Sequence, residues 1–247
     1  MYRYSGAWNC PSRNGDTQKP AFRGGAAGRT VFLCALLAFA APLFSQTDAL
    51  TPDALRSYRI GRDMEARGRM EDANAYYDEA VRICISEIAR NAANMDSYTV
   101  LTWTLQRQGK YADVISWGER GLQLSNDYRV VETMGEAYFY LSNFDNSLRF
   151  MQRYVNALPQ GERASVAYFF IGEIYRLQKK FQHADIAYTT AVRLEPNMPL
   201  WWFRLGSVRE AAGEFALAIE AYEQALRLNP NYREATEGLA RSRRGNG

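Results

Sequence analysis

The side chains best suited to catalysis or metal binding are scarce in this sequence of 247 residues. It has one histidine, His183, and three cysteines, Cys10, Cys34 and Cys84. So few imidazole and thiol groups leave little material for a zinc site, an iron–sulfur cluster or a histidine-dependent catalytic triad. The sequence also lacks a phosphate-binding glycine loop, a dinucleotide-binding fingerprint and an H-E-x-x-H motif. These observations favour a binding protein, not an enzyme, with no cofactor and no metal.

The positions of His183 and Cys84 give neither residue a chemical role. His183 precedes Ala184 on the exposed side of a predicted helix, with no nucleophile or carboxylate pair placed to use it. Cys84 shares a helical face with Tyr77 and Ile88, a pattern that predicts a small buried apolar residue rather than a reactive thiol. We therefore expect no catalytic residue in the chain.

An apolar segment near the start of the chain predicts export. Residues 30–44 read TVFLCALLAFAAPLF, between a stretch with basic residues and the polar residues 45–48, which is the order of regions in a signal peptide. The run is shorter than the roughly 20 residues that a bilayer span needs. We expect residues 1–45 to be a leader with a disordered beginning, cleaved on export to the periplasm or cell envelope. The alternatives are an uncleaved N-terminal anchor and lipidation at Cys34, which the large Leu33 before it disfavours.

The net charge of +3 is concentrated in this leader. Residues 1–45 contain five basic residues and one acidic residue, which leaves 25 basic and 26 acidic residues in 46–247. The body of the protein is therefore close to neutral, and nucleic acid is not an expected partner. Membrane association is expected only through an uncleaved leader.

Residues of the same type recur at a fixed offset in the C-terminal part of the sequence. Seven pairs share this offset, namely Gly172 and Gly206, Phe181 and Phe215, Ala184 and Ala218, Tyr188 and Tyr222, Ala191 and Ala225, Leu194 and Leu228, and Pro196 and Pro230. The offset, about 34 residues, lies in the range that indicates a stacked repeat architecture. Apolar and small residues within each unit lie three or four positions apart, which predicts two amphipathic helices joined by a short turn. Stacked copies of such a hairpin bury a continuous core.

These residues resemble the tetratricopeptide repeat, whose pattern is W-x2-L-G-x2-Y, then A-x3-F/Y-x2-A, then P. The unit 199–232 supplies Trp202, Leu205, Gly206, Ala218, Tyr222, Ala225 and Pro230, and the unit 165–198 supplies Tyr168, Ile171, Gly172, Tyr175, Ala184, Tyr188, Ala191 and Pro196. The unit 199–232 departs from the pattern once, since Arg209 stands where a tyrosine is expected. Both units match a pattern specific to this family.

Weaker copies of the pattern extend the resemblance toward the N-terminus. Gly61 and Gly135 mark earlier units, so that repeats are expected near 54–94, 95–127, 128–164, 165–198 and 199–232 within a domain spanning 46–247. The resemblance implies an all-α fold, a right-handed α-solenoid of about five repeats, and a polar helix over 231–244 is expected to cap it. Thr51 and Pro52 are the expected N-cap and first residue of the first helix.

Two of these repeats are longer than the others. The first repeat runs from position 54 to the start of the second at position 95, which predicts a second helix, about 71–92, that is two turns longer than its equivalents. It either covers the end of the stack or protrudes as a docking or dimerisation face. The third repeat runs from position 128 to the start of the fourth at position 165, a smaller excess that predicts a longer loop near 160–162.

One set of repeat residues is predicted to be structural. Its small members let helices approach closely, its large members fill the neighbouring helix, and together they are Gly61, Gly135, Gly172, Ala184, Tyr188, Pro196, Trp202, Gly206, Ala218, Tyr222 and Pro230. A large side chain at Gly172 is therefore expected to cost stability through overpacking.

The resemblance also implies a concave groove lined by the first helix of each repeat. The groove positions carried over are Tyr58, Arg62, Thr99, Trp103, Gln106, Glu132, Glu136, Phe139, Phe169, Glu173, Arg176, Phe203, Ser207 and Glu210. This lining is aromatic and acidic, and it lacks the lysine and asparagine set with which related repeats bind a C-terminal carboxylate. Its acidic residues are expected to form a solvated or interaction-facing strip rather than a cation site.

The aromatic groove residues have two possible roles. Trp103, Phe139, Phe169 and Phe203 either anchor a partner in the groove or pack between repeats. Trp201, beside the Trp202 of the repeat pattern, is a separate candidate for a surface anchor.

The function expected from these observations is a non-enzymatic interaction scaffold in the periplasm or cell envelope, which binds a peptide or protein partner in the groove. Two alternatives remain open from the sequence. One is a small-molecule-binding accessory protein of a solute transporter. The other is a self-assembling structural module that uses the long first-repeat helix and Trp201.

Overall fold

The computed structural model describes residues 53–247, which form eleven α-helices and contain no β-strand. The helices are α1 Ala54–Ala66, α2 Met70–Arg90, α3 Met95–Arg107, α4 Tyr111–Leu124, α5 Tyr128–Tyr140, α6 Phe144–Ala157, α7 Ala164–Leu177, α8 Phe181–Leu194, α9 Pro199–Ala211, α10 Phe215–Leu228 and α11 Arg233–Gly245. The leader predicted over residues 1–45, with its apolar segment and with Cys10 and Cys34, lies outside the described residues.

Consecutive helices pack against each other along the whole series from α1 to α11. Contacts also join α1 to α3, α3 to α5, α5 to α7 and α9 to α11, whereas successive even-numbered helices of residues 53–247 make no comparable contacts. The odd-numbered helices are therefore closer together, so the stack curves with these helices on its concave side. This confirms the predicted all-α solenoid, with five helix pairs and an eleventh helix at the C-terminal end.

Side-chain caps fix where several helices begin. The Asp53 carboxylate accepts a hydrogen bond from the Arg56 amide at 3.1 Å, so α1 begins at Ala54. The expectation that Thr51 and Pro52 start this helix is therefore wrong, because the next residue with a capping carboxylate takes that role. Asn94, Asp127 and Asn143 cap α3, α5 and α6 in the same way.

The turn inside each hairpin contains one residue in the left-handed backbone region. Gly68, Gly109 and Gly213 hold this position in the first, second and fifth hairpins, with φ between 70° and 80°. Ser142 and Lys179 hold it in the third and fourth, with φ of 59° and 57°. Only glycine adopts this conformation without steric cost, so these two turns are strained relative to the other three.

Glycine and tyrosine pack together where the two helices of a hairpin cross. A Cβ atom built on Gly172 would lie 2.7 Å from the ring of Tyr188, and one on Gly206 would lie 2.8 Å from the ring of Tyr222. Both rings are fully buried. Because the ring occupies the space of the missing side chain, the helices approach closely only with glycine at these positions.

The two longer repeats correspond to local changes in length. Helix α2 has 21 residues, whereas the other even-numbered helices have 14. Its additional turns bury Ile88, and the Ser97 hydroxyl of α3 donates to the Glu87 carboxylate at 2.5 Å. The extension therefore packs on the stack. The segment between α6 and α7 spans residues 158–163 and provides the longer loop.

The structure places Cys84 and His183 as the sequence predicted, but it does not do so for Trp201. Cys84 is fully buried, and burial raises the pKa of its thiol to about 12, with a further contribution from the Glu87 carboxylate. His183 is exposed beside Tyr175. Trp201 is only 2% exposed, because its ring stacks on Phe169 at 5.2 Å. The prediction that Trp201 is a surface anchor is therefore wrong, which removes one of the two features suggested for self-assembly.

Candidate interaction surface

The groove positions lie where the odd-numbered helices meet, a surface that we call the inner face. Tyr58 of α1 contacts Trp103 of α3, with ring centroids 5.9 Å apart. The Gln106 amide of α3 donates to the Glu136 carboxylate of α5, and Phe169 of α7 stacks on α9. The stripe is built by helical spacing, since positions four and seven residues apart fall on one side of a helix.

Half of the predicted groove residues are buried in these contacts. The buried members are Tyr58, Thr99, Glu132, Glu136, Phe139, Phe169 and Glu173, and the partly exposed members are Arg62, Trp103, Gln106, Arg176, Phe203, Ser207 and Glu210. Phe139 and Phe169 therefore pack between repeats and are not available to anchor a partner in the groove. Trp103 and Phe203 keep an exposed edge, and their role as anchors stays a prediction.

In residues 53–247, ion pairs that involve the odd-numbered helices cross all five boundaries between successive hairpins and the last helix. At the first boundary Arg107 of α3 lies 3.5 Å from Glu65 of α1, which also accepts a hydrogen bond from the Tyr77 hydroxyl at 2.6 Å. At the second boundary the neutral Gln106 amide binds Glu136, and a separate, exposed ion pair joins Arg129 of α5 to Asp96 of α3 at 2.9 Å. We call the contacts made by the glutamate carboxylates in this series the rungs of the inner face.

The third rung joins two carboxylates to one guanidinium. Arg163, the residue before α7, contacts Glu132 at 3.0 Å and also Glu136, both on α5. Burial raises the pKa of Glu132 well above its usual range; Arg163 opposes this shift, and the neighbouring Glu136 carboxylate adds to it.

The fourth rung has the opposite balance. Glu173 of α7 contacts Arg176 at 2.7 Å and Arg204 of α9 at 2.9 Å, and it also accepts a hydrogen bond from the Tyr188 hydroxyl. Burial raises the pKa of Tyr188 well above its usual value, and the Glu173 charge adds to the shift, so the phenol stays neutral. Two guanidinium groups therefore share the Glu173 carboxylate in this cluster.

The fifth rung joins α9 to the last helix. Arg241 of α11 contacts Glu210 at 2.6 Å, and the Tyr222 hydroxyl donates to the same carboxylate at 2.6 Å. Tyr222 lies between Gly206 and Gly238, so α11 packs on the fifth hairpin much as its helices pack on each other. The last helix is therefore joined to the stack by both packing and charge.

The arginines of the rungs are more exposed than the carboxylates. Arginine side chains retain between 19% and 50% of their surface, and glutamate side chains between 3% and 18%. The expectation of a solvated or interaction-facing acidic strip is therefore wrong. The solvent side of the inner face therefore presents guanidinium groups and aromatic edges, with less exposed carboxylates.

Phe203 stays partly exposed because its neighbour in the last helix is small. One period earlier, Phe169 is covered by Trp201, and the residue equivalent to Trp201 one period later is Ala235. Phe203 packs instead against Tyr232, with centroids 5.1 Å apart, and it keeps part of its surface. The inner face thus opens at the fifth hairpin, where Arg204 lies over the Phe203 ring at 5.6 Å.

The inter-helix arginines were not identified from the sequence. Arg107, Arg163, Arg204 and Arg241 lie outside the positions that the repeat pattern assigns to the groove. A signal was nevertheless present, since each arginine follows its glutamate by roughly one repeat length. Opposite charges separated by one period are a usable indicator of neighbouring hairpins.

No cluster of three possible metal-ligating side chains occurs in residues 53–247. In the same part of the chain, no helix is both long and apolar enough to cross a membrane.

The fold and the inner face define a class of protein, a helical-repeat scaffold. The family model of the tetratricopeptide repeat matches residues 165–198 and 199–232. No curated protein matches the sequence. Residues 165–232 therefore form two tetratricopeptide (TPR) repeats, and three more hairpins continue the same stack.

Solved structures share the fold at low sequence identity. MamA from Desulfovibrio magneticus RS-1 is 18% identical, with 73% of this chain and 97% of that chain covered and a TM-score of 0.55. TTC0263, a thermophilic TPR protein in Thermus thermophilus, is 17% identical, with coverages of 77% and 98% and a TM-score of 0.55. YrrB, a TPR protein with an unusual peptide-binding site, is 16% identical, with coverages of 75% and 91% and a TM-score of 0.52. These similarities show the fold alone.

Proposed function

We propose that this TPR protein is a non-enzymatic interaction scaffold that holds a peptide or a segment of a protein partner on its inner face. The TPR fold supports a protein–protein interaction scaffold, and the family is generally an interaction module rather than an enzyme. The observation that carries the proposal is the inner face itself, where partly exposed arginine and aromatic side chains lie on a layer of buried ion pairs.

The rungs and ring contacts hold the exposed side chains of the inner face in place before a partner binds. Arg176 and Arg204 are held by Glu173, and Trp103 is held by Tyr58. Side chains that are already fixed lose little conformational freedom when a partner binds, so more of the contact free energy appears as affinity. Arginine and tryptophan are also the residue types most often found at the centres of protein interfaces.

The peptide mode of binding has a parallel among the structural neighbours. YrrB is described as having an unusual peptide-binding site, and it shares the fold over 75% of this chain. That parallel supports a peptide segment as the proposed occupant of the inner face.

The proposed compartment is the periplasm or cell envelope, because residues 30–44 have the pattern of a signal peptide. Fractionation of the source cells with an antibody to the folded part of the chain tests this. Recovery with envelope or periplasmic markers is expected, and recovery only with cytoplasmic markers would contradict it.

The binding face is tested by a double variant, Trp103→Ala with Phe203→Ala, which removes both partly exposed aromatic rings. Phe169 is unsuitable for this purpose because it is buried. Cross-linking and mass spectrometry in the source envelope should show partner capture by the parent and about a tenfold loss in the variant. Tyr76→Ala is the matched control, since Tyr76 is an exposed aromatic residue on α2, away from the odd-numbered helices. Full capture by a folded double variant would contradict the assignment of the inner face.

A further inference from the structure

The junction between the third and fourth hairpins contains several contacts of one residue, Arg163, which comes directly before α7. Its side chain contacts the Glu132 carboxylate at 3.0 Å and also the Glu136 carboxylate, both on α5. Its backbone amide donates to the Tyr154 hydroxyl of α6 at 3.2 Å. Arg163 therefore links the start of α7 to both helices of the third hairpin.

We infer that this junction is sensitive to pH and opens locally as the pH rises, because opening lets water reach a Glu132 carboxyl group that the closed junction buries. The inference adds a form of regulation to the inner face, and only its effect on a partner rests on the proposed function. It follows from the burial and spacing of two carboxyl groups.

The closed junction holds these two carboxyl groups close together and away from water. Glu132 and Glu136 lie one helical turn apart, and their side chains are only 4% and 7% exposed. Burial disfavours the charge of each group, and like charges in a shared site disfavour ionisation of both. Burial is accordingly the largest cause of the raised pKa of Glu132, and Arg163 opposes this shift without cancelling it.

Proton linkage gives the direction of the response. In the closed junction Glu132 keeps its proton to a pH well above 4.5, whereas a carboxyl group that water reaches ionises near its ordinary value. Opening therefore releases a proton. The equilibrium constant for opening should rise by up to about tenfold per pH unit between 4.5 and the folded pKa of Glu132.

Neutral groups face the pair from three neighbouring elements. The Gln106 amide of α3 donates to Glu136. Three phenols also lie near the pair, and burial raises the pKa of each, so all three stay neutral over the range in which Glu132 titrates. They are Tyr111 of α4, Tyr140 of α5 and Tyr154 of α6.

Other charged groups around α5 are in ion pairs or exposed to water. The paired groups are Asp96, Arg107, Asp127, Arg129 and Glu173, and the exposed group in the segment before α7 is Glu162. The response is therefore assigned to Glu132, whose ionisation the closed junction disfavours.

The connection at this junction permits a local movement. Residues 158–163 join α6 to α7, a segment of six residues, whereas three or four residues join the other successive hairpins and the last helix. Residues 158–160 are exposed. A longer exposed connection lets α7 separate from α5 in a local opening that leaves the rest of the stack folded.

Opening would alter the inner face, because Trp103 of α3 and Phe203 of α9 lie on opposite sides of this junction. A partner that contacts both rings is therefore expected to bind more weakly as the pH rises.

Hydrogen exchange of the full chain, followed by mass spectrometry between pH 5 and 7, tests the inference. Rates are corrected for the intrinsic exchange rate of each amide at each pH. The amides of residues 158–170 are expected to lose protection by about tenfold over this range. The amides of α1 and α11, at the two ends of the stack, should lose much less because their local openings leave Glu132 buried.

Three variants locate the response. Glu132→Gln should remove it, because the amide keeps an acceptor for Arg163 but has no proton to lose. Glu136→Gln should reduce it, because the neighbouring carboxylate that adds to the shift is gone. Glu223→Gln, at an exposed carboxylate of α10, is the control and should change nothing. Should Glu132→Gln lower the melting temperature, Glu136→Gln becomes the deciding variant.

Protection of residues 158–170 that does not change with pH, or that falls equally in Glu132→Gln, would overturn the inference. An equal fractional loss in α1 and α11 would also overturn it, since the response would then belong to the whole stack. The exchange experiment needs no partner, so its failure leaves the proposed function to be decided by the cross-linking experiment.

Discussion

The third and fourth hairpins have nearly equal helix lengths and the same turn, but different contacts hold them together. In the fourth, Gly172 faces the rigid ring of Tyr188, and in the third, Gly135 faces the flexible Met151 side chain. In the fourth, Glu173 contacts two guanidinium groups, whereas in the third two carboxylates share Arg163.

Comparison of the two hairpins shows which contacts every hairpin of the stack needs and which can vary. Each hairpin needs a small residue opposite a large one, and each junction needs its buried polar groups paired. The identity of the large residue and the balance of charge are free to vary. The third hairpin differs from the fourth at such positions, with Ser147 and Met151 in place of Ala184 and Tyr188. The family model accordingly matches the fourth and fifth hairpins but not the third.

The largest loss of stability is expected when the Glu173 carboxylate of the fourth hairpin is removed. Glu173→Ala leaves Arg176, Arg204 and the Tyr188 hydroxyl without their shared acceptor, and it should lower the free energy of unfolding by about 3 kcal/mol. Urea titration measures this loss. Glu223→Ala is the control, because its exposed pair with Arg243 should contribute less than about 1 kcal/mol. Equal losses in the two variants would show that the fourth rung is not a buried network.

Because the two glycines face different side chains, glycine-to-alanine substitution should lower the free energy of unfolding by different amounts in the two hairpins. Gly172→Ala forces a Cβ atom to within 2.7 Å of the Tyr188 ring and should cost about 1–3 kcal/mol. Gly135→Ala meets the Met151 side chain at 3.0 Å and should cost less than about 1 kcal/mol, since the thioether adjusts. Thermal melts of both variants test the comparison. Equal costs would contradict the role assigned to ring rigidity.

The charge difference predicts a pH dependence specific to the third hairpin. Burial raises the pKa of Glu132, so the folded chain keeps a proton that the unfolded chain has already lost. The parent therefore loses stability as pH rises from the ordinary value of 4.5 toward the folded pKa of Glu132. Glu132→Gln removes this loss, and its advantage over the parent should grow with pH by at most about 1.4 kcal/mol per pH unit.

Denaturant titrations of Glu132→Gln and the parent between pH 4 and 8 follow this difference. Glu237→Gln is the control of opposite sign, because the Arg233 hydrogen bond lowers the pKa of Glu237, and its favourable contribution is lost as pH falls. A constant difference between Glu132→Gln and the parent would show that burial does not raise the pKa of Glu132.

The smallest effect on stability is expected in the turns. The third and fourth hairpins each have a non-glycine residue in the left-handed region, whereas the fifth has Gly213 there. Lys179→Gly relieves a left-handed residue and should raise the free energy of unfolding by about 0.5–1 kcal/mol. Gly213→Lys places the same strain in the fifth hairpin and should lower it by a similar amount. A matched pair of denaturant curves decides this, and an unchanged midpoint for Lys179→Gly would contradict the strain.

Periodicity made the helix pairs predictable because it reflects packing that every hairpin repeats. The offset from Gly172 to Gly206 and from Tyr188 to Tyr222 is imposed by direct contact between small and large residues. The long α2 and the longer segment before α7 were predictable from the same counting of residues.

The inner face was less predictable, because burial there depends on a neighbouring hairpin. Glu173 has the spacing of a groove residue, but Arg204 from the next hairpin buries it. Trp201 has no periodic equivalent of its size, so the sequence could not show that it covers Phe169. Contacts between hairpins depend on pairs of positions, whereas a repeat pattern describes positions one at a time.

The rungs also bear on how the chain avoids errors as it folds. Arg176 and Glu210 occupy equivalent positions in successive hairpins but carry opposite charges, so each hairpin matches only its own neighbours. A hairpin that docked on the wrong neighbour, in the same molecule or in another, would place a carboxylate in the interior without its guanidinium. Such a mismatch disfavours domain-swapped and misassembled stacks, the errors to which repeat proteins are most prone.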